Sequence, residues 1–340
     1  KVLAIKITLY RTSGNSPIVK ALELAARNGK QVTVFIELKA RFDEKQNIEW
    51  ATRLQNAGVI VIYGIVNLKL HAKMMIIVRK EDNEILRYVH LSTGNYNENT
   101  AKLYSDISIF TAEPEIANDA TLFFNMISGY SALQTMQKIK IAPINLKSNL
   151  ISLIEREIQN SSPEKPGLII AKMNSLAHPE VIQALYKASC ANVKIKLNVR
   201  GICMLVPGVK NLSENIQVTS IIDRYLEHSR ICYFQNGGDE EIYLSSADWM
   251  PRNLDRRVEI MFPILNKSIF TRIKSILNTY LEDTENTSIL NSDGSWSKIL
   301  NSQTEKAEKK FSAQKHFHEL AKTIEKSQKE NLTGEFVVRR

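Results

Sequence analysis

Cysteine is scarce in this chain. The 340 residues hold three, Cys190, Cys203 and Cys232. They form no CxxC pair and no metal-holding spacing, so neither a disulfide framework nor a cysteine metal site organises the fold. They read as reduced thiols, and a cytoplasmic protein is expected. Long apolar runs are missing as well. No stretch approaches the roughly 20 apolar residues that a membrane span requires, and no basic-then-apolar leader opens the chain. An initiating methionine is also absent: the sequence starts at Lys1 and runs at once into the strand-like Val2-Leu3-Ala4-Ile5. A fragment of a longer protein is therefore expected.

What is present is an ordinary globular composition, 44% apolar and 24% charged, in a chain long enough for two or three domains. The net charge of +9 suits a polyanionic partner: nucleic acid, nucleotide, acidic lipid or inorganic phosphate polymer. Part of the excess sits in a Lys-rich tail, whose plainer reading is a solvated surface.

The pattern along the chain is that of an α/β sandwich with a mixed sheet. Residues 2–9 read as a strand. Ser16 and Pro17 have helix-start chemistry, and a helix is expected over 18–27 before Asn28-Gly29 stops it. A strand at 31–38, a helix at 47–56 and a strand at 59–63 follow. Leu70-His71-Ala72-Lys73 leads directly into Met74-Met75-Ile76-Ile77-Val78, which together read as a buried strand. On a strand, His71 and Lys73 would project from one face. An imidazole beside an ammonium suits phosphate handling, one as nucleophile or proton carrier and the other as fixed charge. A hairpin through 80–84 leads to a strand at 86–91, which ends in Ser92-Thr93-Gly94-Asn95-Tyr96-Asn97. A strand at 107–110, a helix at 114–127 and a connection over 128–145 complete the first unit.

The second unit repeats the first. Helix 150–158, strand 168–172, helix 179–188 and strand 193–199 lead to Arg200. His228-Ser229-Arg230 then opens the strand 231–234, a Gly237-Gly238 turn follows, and strand 241–244 ends in Ser245-Ser246-Ala247-Asp248. The two histidines stand 157 positions apart (228 − 71). Each opens a His-x-(Lys/Arg) motif, and each is followed by strand, turn, strand and a small polar cluster. Lys39-Ala40-Arg41 and Arg200 correspond as strand-terminal basic groups. Domains are expected at 1–138 and 139–295 around one shared site across a pseudo-dyad, followed by a charged, helical tail at 296–340 with its helix near 304–328. His90 reads as a structural histidine and His178, before Pro179, as loop.

Two facing His-x-Lys motifs resemble the phospholipase D superfamily, whose members attack phosphorus with one histidine and protonate the leaving group with the other. The acid that this motif carries five positions beyond its lysine is replaced here by Val78 and Gln235, and Arg230 stands in place of the second lysine. The segments TLYRTS, ELKARFDE, NLKLHAK, STGNYN, Thr100-Ala101-Lys102-Leu103-Tyr104, DRYLEHSR and YLSSADWMPRNLDRR resemble, more narrowly, the catalytic domains of the polyphosphate kinase family. That resemblance covers about residues 1–290 and implies two phospholipase D-like α/β domains. The activity it implies is reversible transfer of the terminal phosphoryl group of ATP to inorganic polyphosphate through a phosphohistidine.

By this resemblance His71 is the phosphoryl carrier and His228 its partner, with Lys73 and Arg230 neutralising the transferring group. Tyr104, Arg200 and His228 match nucleotide-contacting positions. Arg11 and Arg41 match positions associated with Mg²⁺, for which a guanidinium can only offer phosphate contacts near the ion or a backbone carbonyl. Arg252, Arg256 and Arg257 would line a polyphosphate channel, and Asn95, Asn97 and Asp248 would orient the histidines. The plainer alternatives are a half-buried strand tyrosine for Tyr104 and surface ion pairs for the three arginines. The implied partners are ATP or ADP and polyphosphate, in a homo-oligomer that uses no nucleic acid, with peripheral membrane association through a partner surface left open. Two other readings stand beside it: a phosphodiesterase acting on lipid or nucleic acid, and a silent polyanion-binding module.

Overall fold

The computed structural model of the chain describes residues 1–10, 16–37, 44–65, 68–129, 135–299 and 310–332, with side chains for all of these except 44–47 and 327–332. The first unit comprises β1 (Val2–Leu9), α1 (Pro17–Arg27), β2 (Gln31–Ile36), α2 (Glu44–Asn56), β3 (Ile60–Tyr63) and β4 (Lys69–Leu70). It continues with β5 (Met74–Glu81), β6 (Glu84–Ser92), α3 (Glu98–Ala101), β7 (Tyr104–Ser105), β8 (Ser108–Thr111) and α4 (Pro114–Ile127). The second unit comprises β9 (Lys140–Ala142), α5 (Leu146–Gln159), β10 (Leu168–Met173), α6 (Pro179–Cys190), β11 (Lys194–Val199), β12 (Ile216–Ile221) and β13 (Leu226–Glu227). It continues with β14 (Ile231–Phe234), β15 (Glu241–Ser245), α7 (Pro251–Leu254), β16 (Arg257–Pro263), α8 (Lys267–Leu281), β17 (Thr287–Leu290), β18 (Trp296–Lys298) and α9 (Ala313–Leu332).

The repeat seen in the sequence is a repeat of topology. One sheet runs β3-β2-β1-β5-β6-β8 and the other contains β12-β11-β10-β14-β15-β16 in the same order. In both, the first three strands pair in parallel, joined through helices except between β11 and β12, and the later strands pair antiparallel. Short connections make antiparallel neighbours, and helical crossovers make parallel ones. The parallel strand β2 is an almost unbroken apolar run because both of its faces are covered. At α1 the Ser16 hydroxyl accepts from the Val19 amide and Pro17 fills the first turn, as the sequence predicts.

Three apolar clusters hold the layers together. Val19, Leu22, Trp50 and Leu54 of α1 and α2 cover one face of the first sheet, while Leu150, Ile154, Val181 and Leu185 of α5 and α6 cover one face of the second. The third cluster joins both units. Ile76, Val89 and Leu91 lie in it with Phe123 and Phe124 of α4, Ile170, Leu244, Ile260 and Phe262 of the second sheet, and Ile273 of α8. A continuous core of this kind fixes the two units relative to one another, as interiors are close-packed.

The structure departs from the sequence reading where chain crosses between sheets. Residues 70–78 are not one strand. Leu70 pairs with Val258 of the second unit and Met74 pairs with Leu91 of the first, so His71-Ala72-Lys73 bridges the two sheets without strand pairing of its own. Residues 228–230 make the equivalent crossing between β13 and β14. β9 lies within the expected connection at 128–145, and β12, β16, α8 and the β17–β18 hairpin were not anticipated. In β16 the buried Glu259 interrupts the apolar pattern that would have announced a strand. The expected boundary at 295/296 falls inside the β17–β18 hairpin, where Leu290 pairs with Trp296. The described tail helix α9 begins at Ala313, the expected start near 304 lying outside the described residues, and its first turns dock, with Ala313 buried and Phe317 against Tyr280. Among the described residues no helix is long and apolar enough to cross a membrane.

Candidate active site

The two crossings face one cleft and are held from opposite units. The His71 amide donates to the carbonyl of Val258 at 2.9 Å, and the His228 amide donates to that of Ser105 at 3.2 Å. The next residue of each partner strand is an acid. His71 Nδ1 lies 2.7 Å from Glu259, and His228 Nδ1 lies 2.9 Å from Asp106. Each histidine thus takes its carboxylate from the other unit, in a reciprocal pair across the pseudo-dyad. Neither acid was singled out in the sequence. Extending the repeat by one strand, from Tyr104-Ser105-Asp106 to Arg257-Val258-Glu259, would have found both.

Glu259 is fully buried. It also accepts hydrogen bonds from Ser246 Oγ at 2.5 Å and Asn253 Nδ2 at 2.9 Å. Although burial opposes ionisation, the His71 ring, Lys73 and the Ser246 hydroxyl hold it ionised, with its pKa down to about 2. Lys73 Nζ donates to the His71 carbonyl at 2.5 Å and lies 2.8 Å from His71 Nδ1. Burial, with the nearby arginines, lowers its pKa to about 7 against the pull of Glu259. An ammonium can only donate and a carboxylate can only accept. A bare Nδ1 would set its lone pair against the Glu259 carboxylate at 2.7 Å, so the Nδ1 proton belongs to the bond with Glu259 while Lys73 donates to the His71 carbonyl. That tautomer leaves Nε2 with its lone pair. Burial, reinforced by Lys73 and Arg257, lowers the pKa of His71 to about 3 despite Glu259. The ring is therefore neutral at neutral pH, as a nitrogen nucleophile must be.

The second half-site is built differently. Burial and Arg230 lower the pKa of His228, while Asp106 pulls the other way. Arg230 forms a two-pronged pair with Asp248, Nε to Oδ1 at 3.2 Å and Nη2 to Oδ2 at 2.9 Å, and reaches the Thr93 carbonyl of the first unit at 3.2 Å. Asp248 is held at about 2 against burial by that guanidinium and by the Asn174 amide. The position equivalent to Asp248 in the first unit is Asn95, which is uncharged, and its buried Oδ1 has no hydrogen-bond partner. Lys73 therefore lacks the private counter-charge that Arg230 has.

Gly94 stands where the second unit has Ala247. A Cβ at Gly94 would overlap the Asp106 carboxylate. Gly94→Ala must displace Asp106 and with it His228. We expect turnover to fall by about 10–100-fold while a His71-bound label still forms, read by comparing single-turnover labelling with steady-state rate.

An open cleft of about 590 Å³ joins these groups. His71, His228, Arg230, Tyr104, Arg200, Asn95 and Asp248 line it, as do Arg252 and Arg257. Tyr10 and Lys69 border it too, with the Tyr10 ring edge-on to His71 at 4.6 Å. Tyr104 sits 5.0 Å from the His228 ring. Arg200 donates to Asn174 Oδ1 at 2.8 Å, while its buried Nε has no hydrogen-bond partner. Asp248, the one carboxylate among the described residues of the lining, is already engaged by Arg230. The lining is accordingly cationic, with Lys69, Arg200, Arg230, Arg252 and Arg257. Among the described residues, a wider groove of about 860 Å³ between residues 109–116 and 263–269 carries only Glu113 and Lys267 as charged groups and no nucleophile with a base.

Several expected residues are placed otherwise. Asp248 orients Arg230 rather than a histidine. Asn97 caps α3, accepting from the Asn99 and Thr100 amides at 3.0 and 3.1 Å, and touches neither histidine. A side chain committed to a helix start is not available to orient an imidazole. Arg256 is exposed and outside the cleft lining. Arg11 and Arg41 lie outside the described residues. By strand register, Arg200 is equivalent to Glu37 and not to Lys39–Arg41. Glu37 accepts from the Leu70 amide at 2.9 Å and steadies the entry to His71. His90 meets Tyr96 OH at 2.8 Å away from the cleft, and His178 meets Asp255 at 3.1 Å.

Known sequences and structures agree with this geometry. The family described as polyphosphate kinase C-terminal domain 1 matches residues 1–133, and polyphosphate kinase C-terminal domain 2 matches residues 139–314. The polyphosphate kinase of Rhodopirellula baltica is 53% identical over 298 residues, which are 88% of this chain and 35% of that protein. That of Pseudomonas aeruginosa is 54% identical over 298 residues, 88% of this chain and 43% of that protein. The crystal structure of polyphosphate kinase from Porphyromonas gingivalis superposes with a TM-score of 0.87 at 40% identity, covering 96% of this chain and 49% of that one. Phosphatidylserine synthase of Haemophilus influenzae shares the fold, with a TM-score of 0.58 at 11% identity over 96% of this chain and 89% of that one. The chain spans less than half the length of the polyphosphate kinases that it matches. With both domain families matched in order along it, the chain belongs to the polyphosphate kinase family.

Proposed function

We propose that this chain carries the phosphoryl-transfer centre of a polyphosphate kinase, moving the terminal phosphoryl group of ATP onto polyphosphate through His71. The observation that carries this reading is the reciprocal pair of histidine–carboxylate contacts facing one cationic cleft. In the first half-reaction, His71 Nε2 attacks the γ-phosphorus in line, the P–O bond to the β-phosphate breaks, and ADP leaves with the bonding electrons. Glu259, on Nδ1–H, stabilises the positive charge that develops on the phosphorylated ring. In the second, a terminal phosphate oxygen of the acceptor chain attacks the same phosphorus, the P–N bond breaks, and the electrons return to His71. His228, backed by Asp106, meets the non-bridging or leaving oxygen. The phosphate's negative charge favours the protonated ring there, countering the burial that otherwise keeps it neutral.

Arg200, Arg252 and Arg257 are suited to the negative charge of ATP and of the polymer, each guanidinium offering paired donors to phosphate oxygens. Tyr104, 5.0 Å from the His228 ring, is suited to contact the nucleotide. The described residues do not fit a resident Mg²⁺. Among them no group of three or more His, Cys, Asp or Glu could hold a metal ion, and Asp106, Asp248 and Glu259 are each committed to a cationic or imidazole partner. Mg²⁺ in this reaction is the ion that arrives on the phosphates of ATP, as part of the substrate.

The test is to incubate the full-length enzyme with γ-labelled ATP and Mg²⁺. Long-chain polyphosphate and an acid-labile, alkali-stable label on His71 are expected. Phosphodiester cleavage without labelling, or binding with neither product, would overturn the reading. The Lys73 ammonium supplies a second check. With its pKa lowered to about 7 in the free enzyme, kcat/KM for ATP is expected to decline as pH rises above about 7, whereas kcat, set in the phosphate-bound complex, stays flat. Lys73→Arg, which cannot deprotonate in this range, removes the decline.

A further inference from the structure

The charged tail contributes one side chain to the layer behind His228. Gln314, in the first turn of α9, is buried. Its Oε1 accepts from the Tyr225 amide at 2.9 Å, and its Nε2 donates to the Tyr225 carbonyl at 2.9 Å and to Glu227 Oε1 at 2.6 Å. Glu227, fully buried and adjacent to His228, receives Ser105 Oγ at 2.7 Å and Lys172 Nζ at 3.0 Å on its other oxygen. Lys172 also donates to Ser229 Oγ at 3.0 Å and lies over the Tyr280 ring. The Ser105 carbonyl accepts both the His228 and Ser229 amides, and the residue after Ser105 is Asp106, the partner of His228.

Packing does not require this polar layer. By register, Glu227 and Ser105 are equivalent to Leu70 and Val258 behind His71, an apolar pair. The fold thus closes the same crossing without charge in one unit and with a buried network in the other. A half-satisfied network would be worse than an apolar pair. Gln314 supplies the bond that completes Glu227 Oε1.

We propose that Gln314 is a positioning residue for the phosphoryl-transfer reaction, fixing Glu227 and through Ser105 the His228–Asp106 pair, so that the start of the tail helix is a working part of the catalytic centre. This rests on the reading of the cleft given above. Among the described residues, the charged or titratable groups that face Glu227 and His228 are Lys172 from β10, Tyr104 from β7, Asp106 from the segment after β7, Arg230, Lys73, Asp248 after β15 and Tyr280 from α8.

The experiment uses the full-length enzyme and follows polymer synthesis, His71 labelling and pH profiles. Gln314→Ala is expected to lower kcat by about 10–100-fold with KM for ATP little changed. Gln314→Glu sets a second carboxyl against Glu227. It should be the poorer variant at pH 8 and recover as pH falls, when the introduced carboxyl is protonated and donates an O–H in place of the amide N–H. Lys315→Ala, which removes an exposed pair with Glu285, serves as a control and should stay within about twofold of wild type. Wild-type enzyme that forms neither label nor polymer overturns the reading of the cleft, and this role with it. Active wild type, with Gln314→Ala at full kcat or with a Gln314→Glu profile parallel to wild type, overturns the role of Gln314 alone.

Discussion

His71→Ala is expected to abolish both the acid-labile label and polymer synthesis, with turnover lower by about 10⁵–10⁶-fold, as removal of a catalytic nucleophile typically costs. The protein should remain folded. Removing the imidazole leaves Glu259 beside Lys73 and still bonded to Ser246 and Asn253, so the buried carboxylate keeps its compensation. His228→Ala should behave differently. That ring lies across the cleft as a proton carrier or charge stabiliser, a role worth about 10²–10⁴-fold, and label should still accumulate slowly on His71. The contrast is the informative measurement: equal losses in the two variants, or label retained in His71→Ala, would contradict the division of labour. The half-sites suggest the same division. Arg230 is neutralised by Asp248, whereas the equivalent position in the first unit is the uncharged Asn95 and Lys73 shares Glu259 with His71. The first half-site holds one carboxylate, Glu259, where the second holds two, Asp106 and Asp248, and so opposes an incoming phosphoryl group less, in keeping with His71 as the carrier.

Much of this site was legible in the sequence because it is duplicated. His71-x-Lys73 is a weak signal alone, and its recurrence as His228-x-Arg230 in the same strand-turn-strand context located both half-sites. The helices and parallel strands were legible for the usual reason, that caps, glycine stops and apolar runs act locally. What could not be read depends on contacts between the units. The strand reading of 70–78 failed because Leu70 pairs with Val258, almost 190 residues away (258 − 70), and local periodicity cannot register a chain that changes sheets. Glu259 and Asp106 were missed because an acid within or beside an apolar strand is unreadable until the histidine it serves is known to lie opposite. Asp248 and Asn97 carried the right chemistry for orienting an imidazole. Their nearer partners, Arg230 and the α3 amides, claim them first. Gln314 lay in a Lys- and Glu-rich stretch that composition alone describes as solvated tail, and only its docking against Tyr225 and Glu227 separates it from its neighbours.

Glu259→Gln should be the most damaging change that leaves both histidines in place. The carboxylate accepts the Nδ1 proton of His71 and so keeps Nε2 free to attack. A carboxamide can present its NH₂ to Nδ1 instead, favouring the tautomer with the proton on Nε2, and the comparable loss in a serine protease triad is about 10⁴-fold in kcat. A loss of similar size is expected here, with label formation slowed in proportion. The variant should also be less stable, since removing one partner of a buried ion pair costs about 3–5 kcal/mol. Lys73 limits that cost in a way that pH can test. Its folded pKa, about 7 in the intact site, is held up by Glu259 against burial, and falls further when the carboxylate is gone. A lysine whose folded pKa is depressed lowers stability at acidic pH, and stability recovers as pH rises through the folded value towards the unfolded one near 10.4. At pH 8 Lys73 is mostly neutral in both proteins and the difference between them from this source is small. At pH 6 the wild type accommodates the ammonium and the variant does not. The stability deficit, measured from urea midpoints, should therefore widen between pH 8 and pH 6. A deficit independent of pH over that range would show that Glu259 does not hold the Lys73 charge.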